Sequence, residues 1–221
     1  MSVKNETSLK FLGVLLDENL NWNKHVMYIS NKIKKGIFAL NQVKNILSTE
    51  TLKMLYFSLI HSHLIYCLEV WGNSSSVNKI FKLQKKAVRI IYKQSYRSHT
   101  EPLFKLSGIL KVKDLYESKL LLFAYDYKNN VLPKSFINFF PNRNLSRITR
   151  QSNNINITIP RTCFSAQSVT HKIVSTWNEL SNELKTFKYR RSFKRNIKIN
   201  ILNIYSDHIT CSNAGCQQCF P

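Results

Sequence analysis

The sequence predicts a mainly α-helical protein: a helical bundle behind a short N-terminal strand, followed by a second, smaller and basic helical part. Three observations predict it. Apolar residues step by three and four along most of the chain, the spacing that lines one helix face. Glycine and proline are scarce, five each, too few for a turn-rich all-β fold. Within Thr51–Gly72, no side chain from Met54 to Leu68 carries a formal charge. A helix apolar nearly all round is either the centre of a core or a membrane span. This run falls short of the roughly 20 residues a bilayer needs and contains Ser58, His61, Ser62 and His63. A core helix is therefore expected, with the other helices packed around it.

The elements follow in order. Lys10–Leu16, KFLGVLL, is a short apolar run interrupted by Gly13, which reads as a buried strand without an obvious partner. Asp17-Glu18-Asn19 supply a polar turn. From Trp22 to Leu47 the residues Val26, Ile29, Ile33, Ile37, Leu40, Val43 and Leu47 keep helical spacing. Gly36 is the weak point there, since glycine costs roughly 1 kcal/mol against alanine inside a helix. Ser48 or Thr49 should cap the central helix, with Glu50 in its first turn. The connection is so short that the two helices should be antiparallel neighbours.

A serine of Gly72–Ser76 can cap the helix Val77–Tyr92. At 100° per residue, Ile80, Leu83, Ala87, Ile90 and Ile91 share one arc, and Lys82, Lys85, Lys86, Arg89 and Lys93 the opposite one. Thr100, Pro102 and Gly108 bracket a short helix over Glu101–Ser107. Val112–Lys128 reads as a further buried helix ended by Asn129-Asn130 and Pro133. From Phe140 to Thr162 the composition shifts: Arg143, Arg147, Arg150 and Arg161 stand among Asn, Ser and Thr without an acid. Ile155, Ile157 and Ile159 alternate there, so this is either a short strand or a basic linker. Ser165–Leu184 returns to helix. Lys185–Lys198 then carries seven basic residues and no acid, with Phe193, Ile197, Ile201 and Ile204 as an apolar seam.

The formal net charge is +21, from 33 Lys and Arg against 12 Asp and Glu. Such a balance attracts polyanions, nucleic acid first and an anionic membrane surface second. The first ten residues lack the apolar core of a secretory signal, and the scattered cysteines suggest no disulfide framework. A reducing intracellular compartment, nuclear or cytoplasmic, is expected. On the helix Val77–Tyr92 no acid interrupts the basic arc, which favours phosphate contact over a merely solvated face. A second set for the same role is Arg190, Arg191, Lys194 and Arg195.

Other chemistry is less well supported. Asp17-Glu18 is the one adjacent acidic pair, whereas two-metal phosphoryl transfer needs further acids, so it reads as a turn. Cys67 lies one helical turn from His63, and a packed histidine explains the pair better than a nucleophile with its base. His208, Cys211, Cys216 and Cys219 form H-x2-C-x4-C-x2-C. Thiolates and imidazole suit tetrahedral Zn²⁺, but the two separated ligand pairs of the common fingers are missing. The alternatives are a zinc site and a tail with free thiols.

Several phrases in fixed order resemble one family. KFLGVLLDENLNWNKHV (Lys10–Val26) is similar to a segment of the reverse transcriptases of non-LTR, LINE-type and jockey-like retrotransposons. The resemblance continues through Leu55–Asn73, Leu83–Tyr92, His99–Tyr116 and Thr176–Lys198. Ser181 stands where the family usually has proline. The resemblance implies the end of a palm-like region at residues 1–21 and a thumb-like helical bundle at 22–139. A basic linker at 140–164, a C-terminal helical part at 165–205 and a Cys-rich tail at 206–221 complete the division. It also implies that the catalytic aspartates, and the Mg²⁺ they would hold, belong to a palm upstream of Met1; no residue here matches them. The expected function is RNA and DNA template-primer binding by a C-terminal part of an RNA-directed DNA polymerase, partnered with its palm and needing no membrane. The alternative is a non-catalytic helical interaction module or an inert remnant.

Overall fold

A computed structural model of the chain describes residues 8–136, 139–140, 153–156 and 160–205. Its order is a hairpin of β1 (Ser8–Phe11) and β2 (Val14–Asp17), then α1 (Asn23–Val43), α2 (Thr49–Tyr56), a π turn (Phe57–His61), α3 (Ser62–Ile65) and α4 (Leu68–Trp71). There follow α5 (Val77–Ile91), α6 (Glu101–Ser107), α7 (Val112–Lys128), a 3₁₀ turn (Lys134–Phe136), α8 (Cys163–Ala166), α9 (Val169–Glu179), α10 (Asn182–Lys185) and α11 (Arg190–Ile204). The protein is mainly α-helical, as its periodicity implies. Among the described residues no helix is long and apolar enough to cross a membrane. The described residues form two compact units, one running to Lys113 and taking in residues 202–205, the other within Asp114–Ile201.

The expected single strand is a hairpin. Lys10–Leu16 folds back on itself at Leu12 (φ 46°) and Gly13 (φ 84°), so that Phe11 pairs with Val14 and Ser8 with Asp17. Glycine adopts such a φ without strain, and the run supplies its own partner. Tyr66 fixes the turn: its hydroxyl donates to the Leu12 carbonyl, and its ring lies 3.5 Å from where a Cβ on Gly13 would stand. β2 is tied to α1 by the Leu15 N–H, which donates to Nδ1 of His25 at 3.2 Å. The acceptor role leaves His25 neutral, and burial pushes its pKa down.

The central segment departs further from expectation. Instead of one helix over Thr51–Gly72, α2 passes through the π turn into α3, and the chain breaks at Tyr66 and Cys67, the latter at φ 48°. Ser48 caps α2 as anticipated, its hydroxyl accepting from Thr51 N–H. The buried face is also shifted. The helical spacing of Leu52, Leu55, Leu59, Tyr66 and Val70 predicts one buried face, but Leu52, Tyr56, Ile60, Leu64 and Leu68 are wholly buried while Leu59, Tyr66 and Val70 are exposed. Steps of four residues drift about 40° per step on an α-helix of 3.6 residues per turn. The wider π turn takes up part of that drift and keeps the set on one side. Ser58 and Ser62 donate their hydroxyls to the Leu55 and Ser58 carbonyls, at 3.1 and 2.6 Å, satisfying backbone groups around the wide turn.

Gly36 explains itself at this point. α1 runs through it unbroken and buries Val26, Ile29, Ile33, Ile37 and Leu40. A Cβ on Gly36 would stand 2.9 Å from Ile60 Cγ1 and 3.0 Å from the Leu59 carbonyl oxygen. The close approach of α1 to the π turn therefore needs glycine, despite its helix penalty. The segment after α4 fastens to the start of α1: Ser74 Oγ donates to the Asn21 carbonyl at 3.2 Å, and the Ser76 hydroxyl donates to Asn23 Oδ1 rather than capping α5.

In the second unit the core is aromatic. Tyr125 of α7 stacks on Phe193 of α11 at 4.5 Å, and Trp177 of α9 lies 5.9 Å from the same ring. The single helix expected over Ser165–Leu184 is divided into α8, α9 and α10, with Ser168 capping α9 through His171 N–H. Trp177 Nε1 donates to the Asn153 carbonyl, and Asn178 brackets both backbone groups of Ile155. Ile157 and Ile159 of the expected alternation lie outside the described residues.

Gly36→Ala should destabilise the protein by about 1–2 kcal/mol, because the clash with a backbone carbonyl outweighs the helix-propensity gain of roughly 1 kcal/mol. Urea denaturation measures it. A stabilised variant would contradict the close approach.

Candidate functional site

α5 is held on its apolar side by Val77, Ile80, Ala87, Val88, Ile90 and Ile91, all buried. Sequence reasoning missed one residue there: Gln84 is completely buried. Its Nε2 donates to the Tyr56 hydroxyl at 3.0 Å and to the Leu110 carbonyl at 2.9 Å, while its Oε1 accepts from Val112 N–H at 2.9 Å. Burial pushes the Tyr56 phenol up, only partly offset by that hydrogen bond. The clue was positional: at 100° per residue Gln84 falls on the same arc as Ile80, Ala87 and Ile91. A polar side chain on a core-facing arc is a buried hydrogen-bonding hub or an error.

The opposite side of α5 forms one wall of a concave site. After α5 the chain reverses at Lys93 (φ 52°). Arg89 Nε then donates to the Ser98 carbonyl at 2.8 Å, clamping the returning segment against the helix. α6 begins at Glu101 and packs Phe104 against Phe81 of α5, 6.2 Å between ring centroids. Gly108 (φ 63°) ends α6, and the Gln84 hydrogen bonds bring Leu110–Val112 back to α5. Lys111 thereby reaches the cavity and contacts Glu101 at 2.5 Å. The space, partly open to solvent, is about 640 Å³.

The lining is basic and aromatic together. Lys85 lies over the Phe81 ring at 4.6 Å, Arg89 over the Tyr96 ring at 5.8 Å, and Lys111 over the Tyr205 ring at 4.1 Å. Arg97 and His99 complete the basic set. Among the described residues lining the cavity the one acid is Glu101, engaged by Lys111. Burial pushes the Lys85 ammonium down; neighbouring Arg89, Lys111 and Lys82 push it further, against the opposing pull of Glu101. Burial also lowers Arg89. Cations crowded and partly desolvated in this way are stabilised by an incoming anion.

Of the expected arc, Lys85 and Arg89 line this cavity, while Lys82, Lys86 and Lys93 stand exposed on the surface. Tyr96, Arg97 and Lys111 were not anticipated, since only the reversal after α5 and the Gln84 hydrogen bonds bring them in. The second expected set divides differently. Arg190 makes a two-point ion pair with Asp126, Nε to Oδ1 at 2.6 Å and Nη2 to Oδ2 at 2.9 Å. That pairing holds the Arg190 pKa above its ordinary value. Arg191, Lys194 and Arg195 are exposed, and Arg195 borders a smaller hollow of about 330 Å³ with Lys188 and Tyr189.

Among the described residues no three His, Cys, Asp or Glu side chains group as metal ligands. The candidate zinc residues His208, Cys211, Cys216 and Cys219 lie outside the described residues, as do Arg143, Arg147 and Arg150. Cys67 is a free thiol. His63 is half-buried, and burial, followed by Lys32, pushes its pKa down.

One curated protein similar to this chain is the RNA-directed DNA polymerase from mobile element jockey of Drosophila funebris. The two are 30% identical over 87 residues, covering 37% of this chain and 10% of that protein. The chain thus corresponds to about a tenth of that relative's length. The likeness supports an origin related to retrotransposon reverse transcriptases. No protein-family model and no solved structure matches the chain.

Arg190→Gln should lower the stability of the protein by about 1–3 kcal/mol, since it leaves the mostly buried Asp126 carboxylate without its two-point partner. Chemical denaturation followed at Tyr and Trp bands reports it. An unchanged midpoint would show that the pair contributes no net stability.

Proposed function

We propose that this chain holds nucleic acid, as the template- and primer-binding part of an RNA-directed DNA polymerase whose palm supplies the catalytic carboxylates. The observation that carries the reading is the basic side of α5. Lys82, Lys86 and Lys93 stand outside, Lys85 and Arg89 inside a cavity whose aromatic rings alternate with cations. The sequence likeness to the jockey polymerase supports the same reading.

Physically, the exposed lysines neutralise phosphates and release the counterions condensed on them, a favourable and sequence-independent contribution. Such contacts set position along the strand without reading bases. Arg191, Lys194 and Arg195 on α11 offer a second basic surface of the same kind. Arg190 serves that helix as an anchor through Asp126. The net charge of +21 draws any polyanion, so the useful contrast is between one basic face and another.

The triple variant Lys82→Gln, Lys86→Gln, Lys93→Gln should weaken binding to RNA and DNA oligonucleotides about tenfold or more at moderate salt. It should also reduce the slope of log affinity against log salt by about 2–3, as roughly 0.7–0.9 is lost per phosphate contact. A triple of equal charge on α1, Lys32→Gln, Lys34→Gln, Lys35→Gln, should change affinity much less. Fluorescence anisotropy across a salt series measures both. Equal losses from the two triples would reduce the binding to net charge. Binding no stronger than that of a charge-matched control protein would favour an interaction module without a nucleic-acid role.

A further inference from the structure

We propose that the cavity between α5, the returning segment and Lys111 receives a single unpaired nucleotide, its base stacked on Tyr96 and its phosphate held by Lys85 and Arg97. This rests on the reading that the chain holds nucleic acid and goes beyond it, since backbone contact alone needs neither a cavity nor a ring.

Four features support it. Tyr96 lines the cavity and is 82% exposed, which leaves ring surface open to a partner, and Arg89 lies over the ring at 5.8 Å. Arg89 is itself anchored on the Ser98 carbonyl, so the cation facing the ring is held in place. Aromatic rings offered beside cations are the usual means of holding unstacked bases, because every base has a face to stack and every linkage has a charge. The space of about 640 Å³ lies within the range of sites that enclose small ligands.

The charge arrangement fits a nucleotide better than a bare duplex. Lys85 is pressed between the Phe81 ring and its cationic neighbours. It lines the cavity together with Arg97, where a phosphate that enters with its base can meet both. A base paired in a duplex is stacked on both faces and cannot reach Tyr96 without being extruded, whereas an unpaired base reaches it at little cost. RNA and DNA share the required base and phosphate, and a 2′-hydroxyl facing His99 or Thr100 would separate them.

The test uses the purified 221-residue chain with labelled 12-nucleotide oligo(U), oligo(dT) and a blunt duplex of the same length. Tyr96→Ala should weaken binding to both single strands by about 5- to 150-fold, the range for loss of one base stack, and alter duplex binding by less than twofold. Tyr96→Trp should restore single-strand affinity. Circular dichroism and the thermal midpoint confirm folding, which an exposed side chain should not disturb. A larger effect on oligo(U) than on oligo(dT) assigns the pocket to RNA, and equal effects assign it to unpaired nucleotides of either kind. If Tyr96→Ala weakens single strands and duplex alike, or neither, the pocket proposal fails. Backbone binding by the exposed lysines of α5 still stands in that case if their removal lowers affinity. If the unaltered chain binds no oligonucleotide, both fail.

Discussion

The first unit depends on Gln84. One fully buried amide joins the Tyr56 hydroxyl of α2, the Leu110 carbonyl and the Val112 amide. Each of those groups is itself removed from water, and an unpartnered one costs about 1–3 kcal/mol. The amide suits the place because it offers donor and acceptor together, and no apolar side chain can serve the backbone at both Leu110 and Val112. The consequence is geometric. With its inner side locked to α2 and to the chain entering α7, α5 cannot rotate, so its lysines stay outward. The same hydrogen bonds deliver Lys111 to the cavity rim. The polar core contact therefore orients the basic surface.

A second constraint is charge. A chain at +21 repels itself on folding, and the structure relieves this unevenly. Where an acid is available it is used for structure, as in Asp126 with Arg190 and Glu101 with Lys111. Other cations lie over rings without a salt bridge of their own among the described residues: Lys32 on Tyr28, Lys85 on Phe81, Arg89 on Tyr96. A cation over a ring is attracted to its face but keeps its charge. Such groups remain able to meet an anion, whereas the ion-paired ones are largely spent. That distinction separates Arg190 from its neighbours Arg191, Lys194 and Arg195, although the four look alike as letters.

How much of this was legible follows from the physics of each element. α1, α5 and α7 could be read because their apolar residues keep a helical period, and the start of α2 and the ends of α6 and α7 because Ser48, Gly108 and Asn129-Asn130 mark them. The basic arc of α5 was legible for the same reason. The hairpin was not, because a run of KFLGVLL hides its turn, and Gly13 read as an interruption rather than a reversal. The central segment reads as one helix because periodicity averages over a π turn. The steps of four from Leu52 to Leu68 were the available sign. Gly36 reads as a defect on its own helix, and only Leu59 and Ile60, distant in sequence, give it a reason. The cavity was half visible: Lys85 and Arg89 lie on one helix face, but Tyr96, Arg97 and Lys111 reach it only through tertiary contacts that no local pattern encodes.

Contact through one oriented face of α5 differs from attraction by the chain's overall charge in which lysines a bound oligonucleotide covers. Lysine acetylation with and without the oligonucleotide, read residue by residue by mass spectrometry, separates the two. Lys82, Lys85 and Lys86 should be strongly protected, with Lys34 and Lys35, exposed on α1, reacting as before. Uniform protection of all these lysines, or protection confined to α1, would contradict contact through the α5 face.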